Sequence, residues 1–363
     1  MKKKLIAIAV AGLLAAPLAN AQTANVTIYG RINMDIDFIS SATNSGLGEL
    51  QRVSSNTSRI GFKGTEALGG GLNAIFQIES QFQGDGVTPG NNNWNQLASR
   101  ETWLGLQGGW GAVKLGYMTT PYDDAHAIFG NTNTALTSIL QTGALWGQHG
   151  ANNRANGSFG ARTANSIRYE SPNISGFTGK LQYSTNEATS PRGWVGNIGL
   201  FYDNAGLQAA AVYETNQEWR GADLNDQAFT IMAGYNFGVV RPALVYEHIE
   251  YDTAGGTLKR DLFGGTATVP LGSGKLYGAV IYANKGKGDG LKVGNVNGGK
   301  DTGAVQYELS YSYDLSKRTT AYVGYVYIDN DKYATYTFGH NGNGSAAPGV
   351  DQQGLILGMV HFF

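Results

Sequence analysis

The sequence predicts an all-β protein: a transmembrane, antiparallel, up-and-down β-barrel of about sixteen strands. Three observations predict it. Apolar and polar residues alternate with period two through most of the chain. The segments that alternate are joined by connections that are short and long by turns. Beyond Ala21 no apolar run is long enough for a spanning helix, and mean hydropathy is only −0.23. A strand sends successive side chains to opposite faces, so period two gives each strand one oily and one wet face. In a membrane barrel the oily face meets lipid and the wet face lines a lumen, which keeps average hydropathy low. Closure is required, because an open edge in hydrocarbon leaves backbone groups unpaired. Around sixteen strands enclose a lumen wide enough for water.

Met1 to Ala21 stands apart from this pattern. Lys2, Lys3 and Lys4 form a basic start, Leu5 to Leu18 is apolar and contains Pro17, and Ala19-Asn20-Ala21 fits a small-x-small cleavage site. This reads as a secretory signal peptide over residues 1–21, too short for a membrane anchor. Gln22 to Phe363 is then a single barrel domain, residues 22–363.

The first strand carries the pattern most plainly. Val26, Ile28, Gly30, Ile32, Met34, Ile36 and Phe38 alternate with Thr27, Tyr29, Arg31, Asn33, Asp35 and Asp37. It is longer than the five or six residues usual in soluble strands and fits the roughly nine to eleven of a tilted spanning strand. Further segments follow near 52–65, 71–82, 99–107, 112–117, 163–170, 177–185, 194–203 and 207–216. The remainder lie near 226–236, 240–251, 259–269, 275–285, 304–314, 319–329 and 353–363. In the third, Leu72, Ala74, Phe76 and Ile78 oppose Asn73, Gln77, Glu79 and Gln81. Two strands resist: Leu244 to Tyr251 can be read in either phase, and Ile356, Val360 and Phe362 make the inner side of the last strand apolar.

Short connections at 66–70, 108–111, 171–176, 203–206, 236–238, 270–274 and 314–318 are rich in Gly, Asn, Asp and Pro, which suit tight turns. The long ones are expected at 39–51, 83–98, 118–162, 186–193, 217–225, 252–258, 286–303 and 330–352. Turns at one rim and loops at the other build an outer-membrane barrel.

Composition removes other classes. There is no Cys, so no disulfide framework or thiolate metal site is possible. The five His stand in no metal-ligand spacing, and no metal or cofactor is expected. Without the three signal lysines, 26 basic residues fall to 23 against 27 acidic ones, a net of −4, which argues against nucleic acid as a partner.

Ser58 to Glu79 (SRIGFKGTEALGGGLNAIFQIE), Arg100-Glu-Thr-Trp-Leu-Gly-Leu106, Val113-Lys-Leu-Gly116, Asn165-Ser-Ile-Arg-Tyr-Glu-Ser-Pro172 and Gly358-Met-Val-His-Phe-Phe363 carry a family resemblance. Together they resemble the Gram-negative general porins, trimeric and sixteen-stranded, in particular the betaproteobacterial and neisserial branch. The matches span Gln22 to Phe363 in the family's order. Two departures stand out: Tyr117 where the family usually has Arg, and Ala67 where it usually has Asp. The resemblance implies an outer-membrane channel and a homotrimer surrounded by outer-membrane lipid and lipopolysaccharide. It also implies insertion by the barrel-assembly machinery, with the terminal Phe363 as the signal that machinery reads. The connection 118–162 corresponds to the third external loop, which in the family folds into the lumen to form a constriction. Thr132 to Leu140 suits a short helical turn with Leu136, Ile139 and Leu140 on the wall, and Asp123 and Asp124 supply acids near the loop's start.

Basic residues should face that loop. Alternation places Arg59 and Lys63 inward, opposite Ile60 and Phe62, and Arg162 and Arg168 inward, opposite Ile167 and Tyr169. Arg59, Arg100 and Arg162 match the positions of the constriction arginines in anion-selective members. Strict period two would turn Arg100 to lipid with Leu104 and Leu106, unless a bulge near Thr102 re-aims it. Each arginine could equally be a wall charge paired with Glu79, Glu170 or Asp35.

The leading function is passive diffusion of ions and small hydrophilic solutes, with a preference for anions, because guanidinium groups at a throat concentrate anions and stay charged. A substrate-specific channel for a sugar, phosphate or organic anion is the alternative. Lys285, Lys287, Lys292 and Lys300 on one loop favour it only weakly, since their Gly-rich surroundings suit a solvated loop. A barrel enzyme is not expected: His248 shares a face with Tyr246 and Glu250 but with no nucleophile motif. An adhesive barrel would not need so long a third loop.

Overall fold

A computed structural model describes residues 25–41, 49–86, 96–131, 138–147, 154–341 and 347–363. The signal peptide expected over 1–21 lies outside the described residues.

Strand β1 (Asn25–Ser41) closes the barrel. One edge pairs with the last strand, β19 (Gln352–Phe362), and the other with β2 (Leu50–Ser55) and β3 (Arg59–Gly69). From there each strand pairs antiparallel with the next: β4 (Leu72–Gln81), β5 (Thr102–Gly108), β6 (Gly111–Met118), β7 (Thr163–Glu170), β8 (Phe177–Thr185), β9 (Trp194–Asn204) and β10 (Leu207–Gln217). β11 (Asn225–Tyr235), β12 (Arg241–Thr253), β13 (Gly256–Leu271), β14 (Gly274–Ala283), β17 (Ala304–Asp314) and β18 (Thr319–Asn330) complete the circuit. β15 (Lys292–Val293) and β16 (Val296–Asn297) form a small hairpin within the loop after β14. Since β2 and β3 are two halves of one wall strand, this is a closed 16-strand antiparallel barrel.

The faces follow the alternation. Ile28, Leu104, Leu244 and Leu357 are 59% to 71% exposed on the outside. A band of such side chains would be costly in water and is what a lipid-facing barrel requires. Aromatic pairs border the band. Phe177–Tyr202 and Tyr235–Phe237 lie near the tight turns, and Tyr183–Trp194 and Tyr246–Phe263 lie toward the loops. No described helix is long and apolar enough to cross a membrane.

Two expectations are corrected. The wall strand read as 52–65 is interrupted at Asn56 to Ser58, where Thr57 has a φ of 52°. Polar contacts hold this kink: Asn56 Nδ2 donates to Asp35 Oδ2 (2.6 Å), and Arg31 donates to Thr57 Oγ1 (2.6 Å). The long connection expected at 252–258 is a hairpin between Thr253 and Gly256. Thr253 Oγ1 there accepts from Gly255 N and donates to Gly256 O, so a side chain replaces the longer loop.

The connection after β6 turns into the lumen. Helix α1 (Pro121–Asp124) starts it, with Pro at its first turn, and a 3-10 segment, Ala125–Phe129, continues it. The helical turn expected at 132–140 falls mostly outside the described residues, but Ile139 and Leu140 are fully buried. Tyr122, Phe129, Leu145, Trp146 and Phe159 from this connection form one buried cluster with Val212, Met232, Val245, Ile249 and Ile281 of the wall. This explains the resistant phase of β12 and, at Ile356 though not at Val360 or Phe362, that of β19. The inner side of β12 is apolar because the loop docks on Val245, Ile249 and Tyr251. Ile356 of β19 belongs to the same cluster, and Ile139 rests where a side chain at Gly354 would stand. Gly324 is needed for the same reason under Leu140.

Candidate functional site

The docked loop fills the lumen against β10–β14 and leaves the wall of β1–β8 facing it across a charged slot. The hub of that wall is Glu79. Alternation turns Glu79 inward with Gln77, which opposes Lys63 across the β3–β4 ladder. Arg100 Nε donates to Glu79 Oε1 (2.5 Å), Arg59 Nε stands 3.4 Å from Oε2, and the Tyr29 hydroxyl donates to Oε2 (3.1 Å). Lys63 Nζ sits over the Tyr29 ring at 5.3 Å. Arg31 lies directly opposite Arg59 in the β1–β3 ladder, so two guanidinium groups share one level.

Arg100 is inward, not lipid-facing as strict period two would have it. The β4–β5 ladder ends at Thr102, and Arg100 lies before it. Its N–H donates to Glu79 O (3.0 Å), and its side chain also reaches Gln81 Oε1 (3.0 Å). Glu101 turns inward as well, because its carboxylate accepts from Thr119 N (2.7 Å) at the base of the loop. A regular ladder does not put two consecutive side chains on one face, and here the ladder has already stopped.

Arg162, just ahead of β7, stands 3.5 Å from Glu101. Arg168 pairs with Glu170 (2.8 Å) and with Asp124 of α1. Lys180 reaches the same Asp124 (2.7 Å), and Lys114 reaches Glu170 (2.8 Å). Asp123, Asp124, Glu101, Arg168 and Lys180 line an open recess of about 510 Å³ together with Trp103 and His126. The expected residues Arg59, Lys63, Glu79, Arg100, Asp123, Asp124, Arg162 and Arg168 are thus gathered around one slot. Arg31, Lys114, Lys180 and Glu101 join them without having been singled out. Alternation alone would have found the first three, since each sits between outward residues: Ile32 beside Arg31, Val113 and Leu115 beside Lys114, Leu181 beside Lys180.

The slot therefore holds eight cations (Arg31, Arg59, Lys63, Arg100, Lys114, Arg162, Arg168, Lys180) and five carboxylates (Glu79, Glu101, Asp123, Asp124, Glu170). Among these described side chains the cations outnumber the carboxylates by three; Asp35, joined through Asn56 to the Arg31 end of the slot, offsets part of that excess there, while solvent-exposed acids farther off than a Debye length of roughly 8 Å are largely screened. The two loop acids differ. Burial raises both, but Arg168 and Lys180 outweigh it at Asp124 and hold that carboxyl below its ordinary range. At Asp123 burial prevails over Arg162, and the group is pushed up to about 7. Asp123 is then neutral below that pH and anionic above it, so rising pH adds one negative charge to the slot. Anion preference should fall between pH 6 and pH 8, read as the zero-current potential in a salt gradient. Asp123→Asn should hold the low-pH value. An unaltered step in the variant would remove Asp123 from this role.

Comparison with known proteins gives the family. A sequence profile of Gram-negative porins matches residues 7–333. The chain belongs to the Gram-negative porin family. The porin is 30% identical to the outer membrane porin protein 32 of Delftia acidovorans over all of both chains. It is 28% identical to the major outer membrane protein P.IB of Neisseria gonorrhoeae over 92% of this chain and 95% of that one. Among solved structures, the anion-selective porin from Comamonas acidovorans superposes with a TM-score of 0.76 at 23% identity, covering 94% of this porin and 100% of that chain. A trimer form of OmpT, an outer membrane protein of Vibrio cholerae, gives 0.66 at 16% identity, with coverage of 94% and 100%. These structures share the fold. The porin is an outer-membrane protein of a Gram-negative bacterium and forms a passive channel for ions and small hydrophilic solutes.

Proposed function

We propose that this channel prefers anions, with Arg59, Arg100, Arg162, Arg168 and Lys63 as constriction cations and Glu79, Asp123 and Asp124 as the acids that set a transverse field. The observation that carries the proposal is the excess of cations over carboxylates around the slot. In the narrow part of a pore such an excess raises the local anion concentration and lowers that of cations. The test is a planar-bilayer measurement with a salt gradient. A zero-current potential of the anion-selective sign at low salt is expected. The cation-selective sign would overturn the proposal. Three lysines lying over lumen aromatics, among them Lys114 on Trp103 (4.7 Å) and Lys180 on Phe201 (4.2 Å), favour a channel with some affinity for organic anions as the second reading. Saturating flux of an aromatic carboxylate would distinguish it from free diffusion.

The channel is proposed to be no enzyme: the hydrogen bonds of His248 go to the carboxylates of Asp261 and Glu250. A homotrimer is supported by the outward aliphatic face of Val26, Ile28, Ile32, Ile36, Leu355 and Leu357, while the aromatic pairs lie on other strands. The remaining outer surface would meet lipid and lipopolysaccharide. Phe363 is proposed as the signal for the barrel-assembly machinery. It exchanges backbone hydrogen bonds with Gly30 (3.1 and 3.2 Å) and is 41% exposed, so a receptor could reach it before closure. Deleting it should cut the yield of heat-modifiable barrel severalfold and leave the conductance of inserted channels unchanged. A normal yield would make it only an interfacial aromatic.

A further inference from the structure

We propose that Asn341, in the connection between β18 and β19, is a positioning residue for the slot. Through Asn56 it holds the Arg31 guanidinium back in the wall, so this connection sets how much positive charge the passage carries. The proposal rests on the anion-preferring reading and adds to it a control exerted from the loop side of the barrel.

This connection does not stand clear of the barrel. Ala334, Tyr336 and Phe338 belong to the buried cluster inside the lumen. Asn330, the last residue of β18, ties the segment down: its Nδ2 donates to Tyr336 O (3.0 Å) and to Val350 O (2.8 Å). The chain therefore reaches Asn341 against the wall of β1–β3. There the Asn341 carbonyl accepts from Arg52, which is itself held by Asp37 (2.8 Å). Its Nδ2 donates to Asn56 Oδ1 (2.7 Å) and reaches Ser55 O (3.5 Å) on the same kink. Asn341 has a φ of 50°, in the left-handed region that Asn tolerates better than most side chains.

Asn56 occupies the break between β2 and β3, and both ends of its side chain are used. Oδ1 accepts from Asn341, while Nδ2 donates to Asp35 Oδ2 (2.6 Å) and to the Tyr322 hydroxyl (3.2 Å). A single amide thus joins the loop to the wall, with its acceptor toward the one and its donor toward the other. The kink it anchors supplies acceptors for Arg31: Nη2 donates to Thr57 Oγ1 (2.6 Å) and to Asn56 O (3.3 Å). Asn56 is fully buried, and Arg31 is only 4% exposed. The kink keeps that cation in the wall against like charge, since Arg59 is its neighbour in the ladder and Arg100 acts on it with the same sign. A guanidinium in the wall has given up hydration that the aqueous slot would restore. Once the kink loosens, repulsion and hydration both drive the charge toward the passage.

The test uses the purified porin in planar bilayers with a salt gradient at low ionic strength, and the thermal transition as a separate readout. Asn341→Gly removes the amide but keeps a residue at ease with a φ of 50°, so the loop backbone and its bond from Arg52 need not move. Thr57→Gly removes a contact farther along the relay, again at a positive φ of 52°. Each variant should shift the zero-current potential toward anions. One unit charge arriving about 8 Å from the path of an ion gives about a twofold rise in anion occupancy. The shift should fade as salt rises. Arg31→Gln together with Asn341→Gly should give the potential of Arg31→Gln alone, because the displaced charge is then gone. A merely structural role would lower the thermal transition without a shift that depends on Arg31, and that result would overturn the proposal. An unchanged potential in both glycine variants would overturn it too, as would a shift that persists without Arg31. A wild-type channel of the cation-selective sign would overturn the anion reading alone, and the differences among the variants would still decide the role of Asn341.

Discussion

Replacing Arg59 and Arg162 together by serine will move the zero-current potential of the channel toward cations. Of the four slot arginines paired with a carboxylate, these two are held least closely. Their side chains are 26% and 25% exposed and stand 3.4 and 3.5 Å from their carboxylates, whereas Arg100 and Arg168 are 10% and 5% exposed and bound more closely. Removing both reduces the cation excess from three to one. Two unit charges about 8 Å from the path of an ion contribute roughly 1 kcal/mol in water, about a fivefold change in anion occupancy before screening. The shift should be largest in dilute salt and vanish near 1 M, where the screening length is about 3 Å. Conductance should be preserved or raised, since bulk leaves the throat. Lys287→Gln with Lys292→Gln on the loop after β14 should change little, because those charges stand in water outside the slot. An unchanged potential at low salt in the double serine variant would remove these arginines from the selectivity mechanism.

Much of this architecture is written in local alternation. The inward positions of Arg59, Lys63 and Arg168 follow from period two because β3 and β7 are regular there. What is not legible depends on contacts between distant parts of the chain. Arg100 faces the lumen because its strand stops at Thr102 and Glu79 captures it, and no periodicity encodes a ladder's end. The kink at Asn56 to Ser58 is held by Asp35 and Arg31 of the neighbouring strand. The apolar inner side of β12 looked like a defect of phase. It is a docking surface for residues about a hundred positions earlier, and its logic appears only when the loop is in place. The same holds for the pairing of Asp124 with both Arg168 and Lys180, which separates the two loop acids electrostatically although they are adjacent in sequence.

That docking surface yields the second large effect. Glu247 and Arg260 pair on the inner wall with both side chains fully buried. Glu247 accepts from the Tyr122 hydroxyl (2.7 Å) and from Gly147 N (2.6 Å), while Arg260 donates to Leu145 O (2.8 Å). One ion pair thus holds both ends of the described inner part of the loop. Glu247→Leu leaves a buried guanidinium without its carboxylate and strands two loop donors, a loss of about 3–5 kcal/mol. The barrel itself should survive, because its ladders do not pass through this pair. The loop should instead loosen locally, since Trp146 to Thr230 (3.1 Å) and Thr142 to Glu308 (2.7 Å) still tether it. The expected result is a noisy channel with frequent brief closures and a lowered thermal transition. Removing both charges with Glu247→Leu and Arg260→Leu should recover part of that stability, because no buried charge is then left alone. A quiet channel with an unchanged transition in the single variant would mean that the apolar cluster around Trp146 holds the loop without the ion pair.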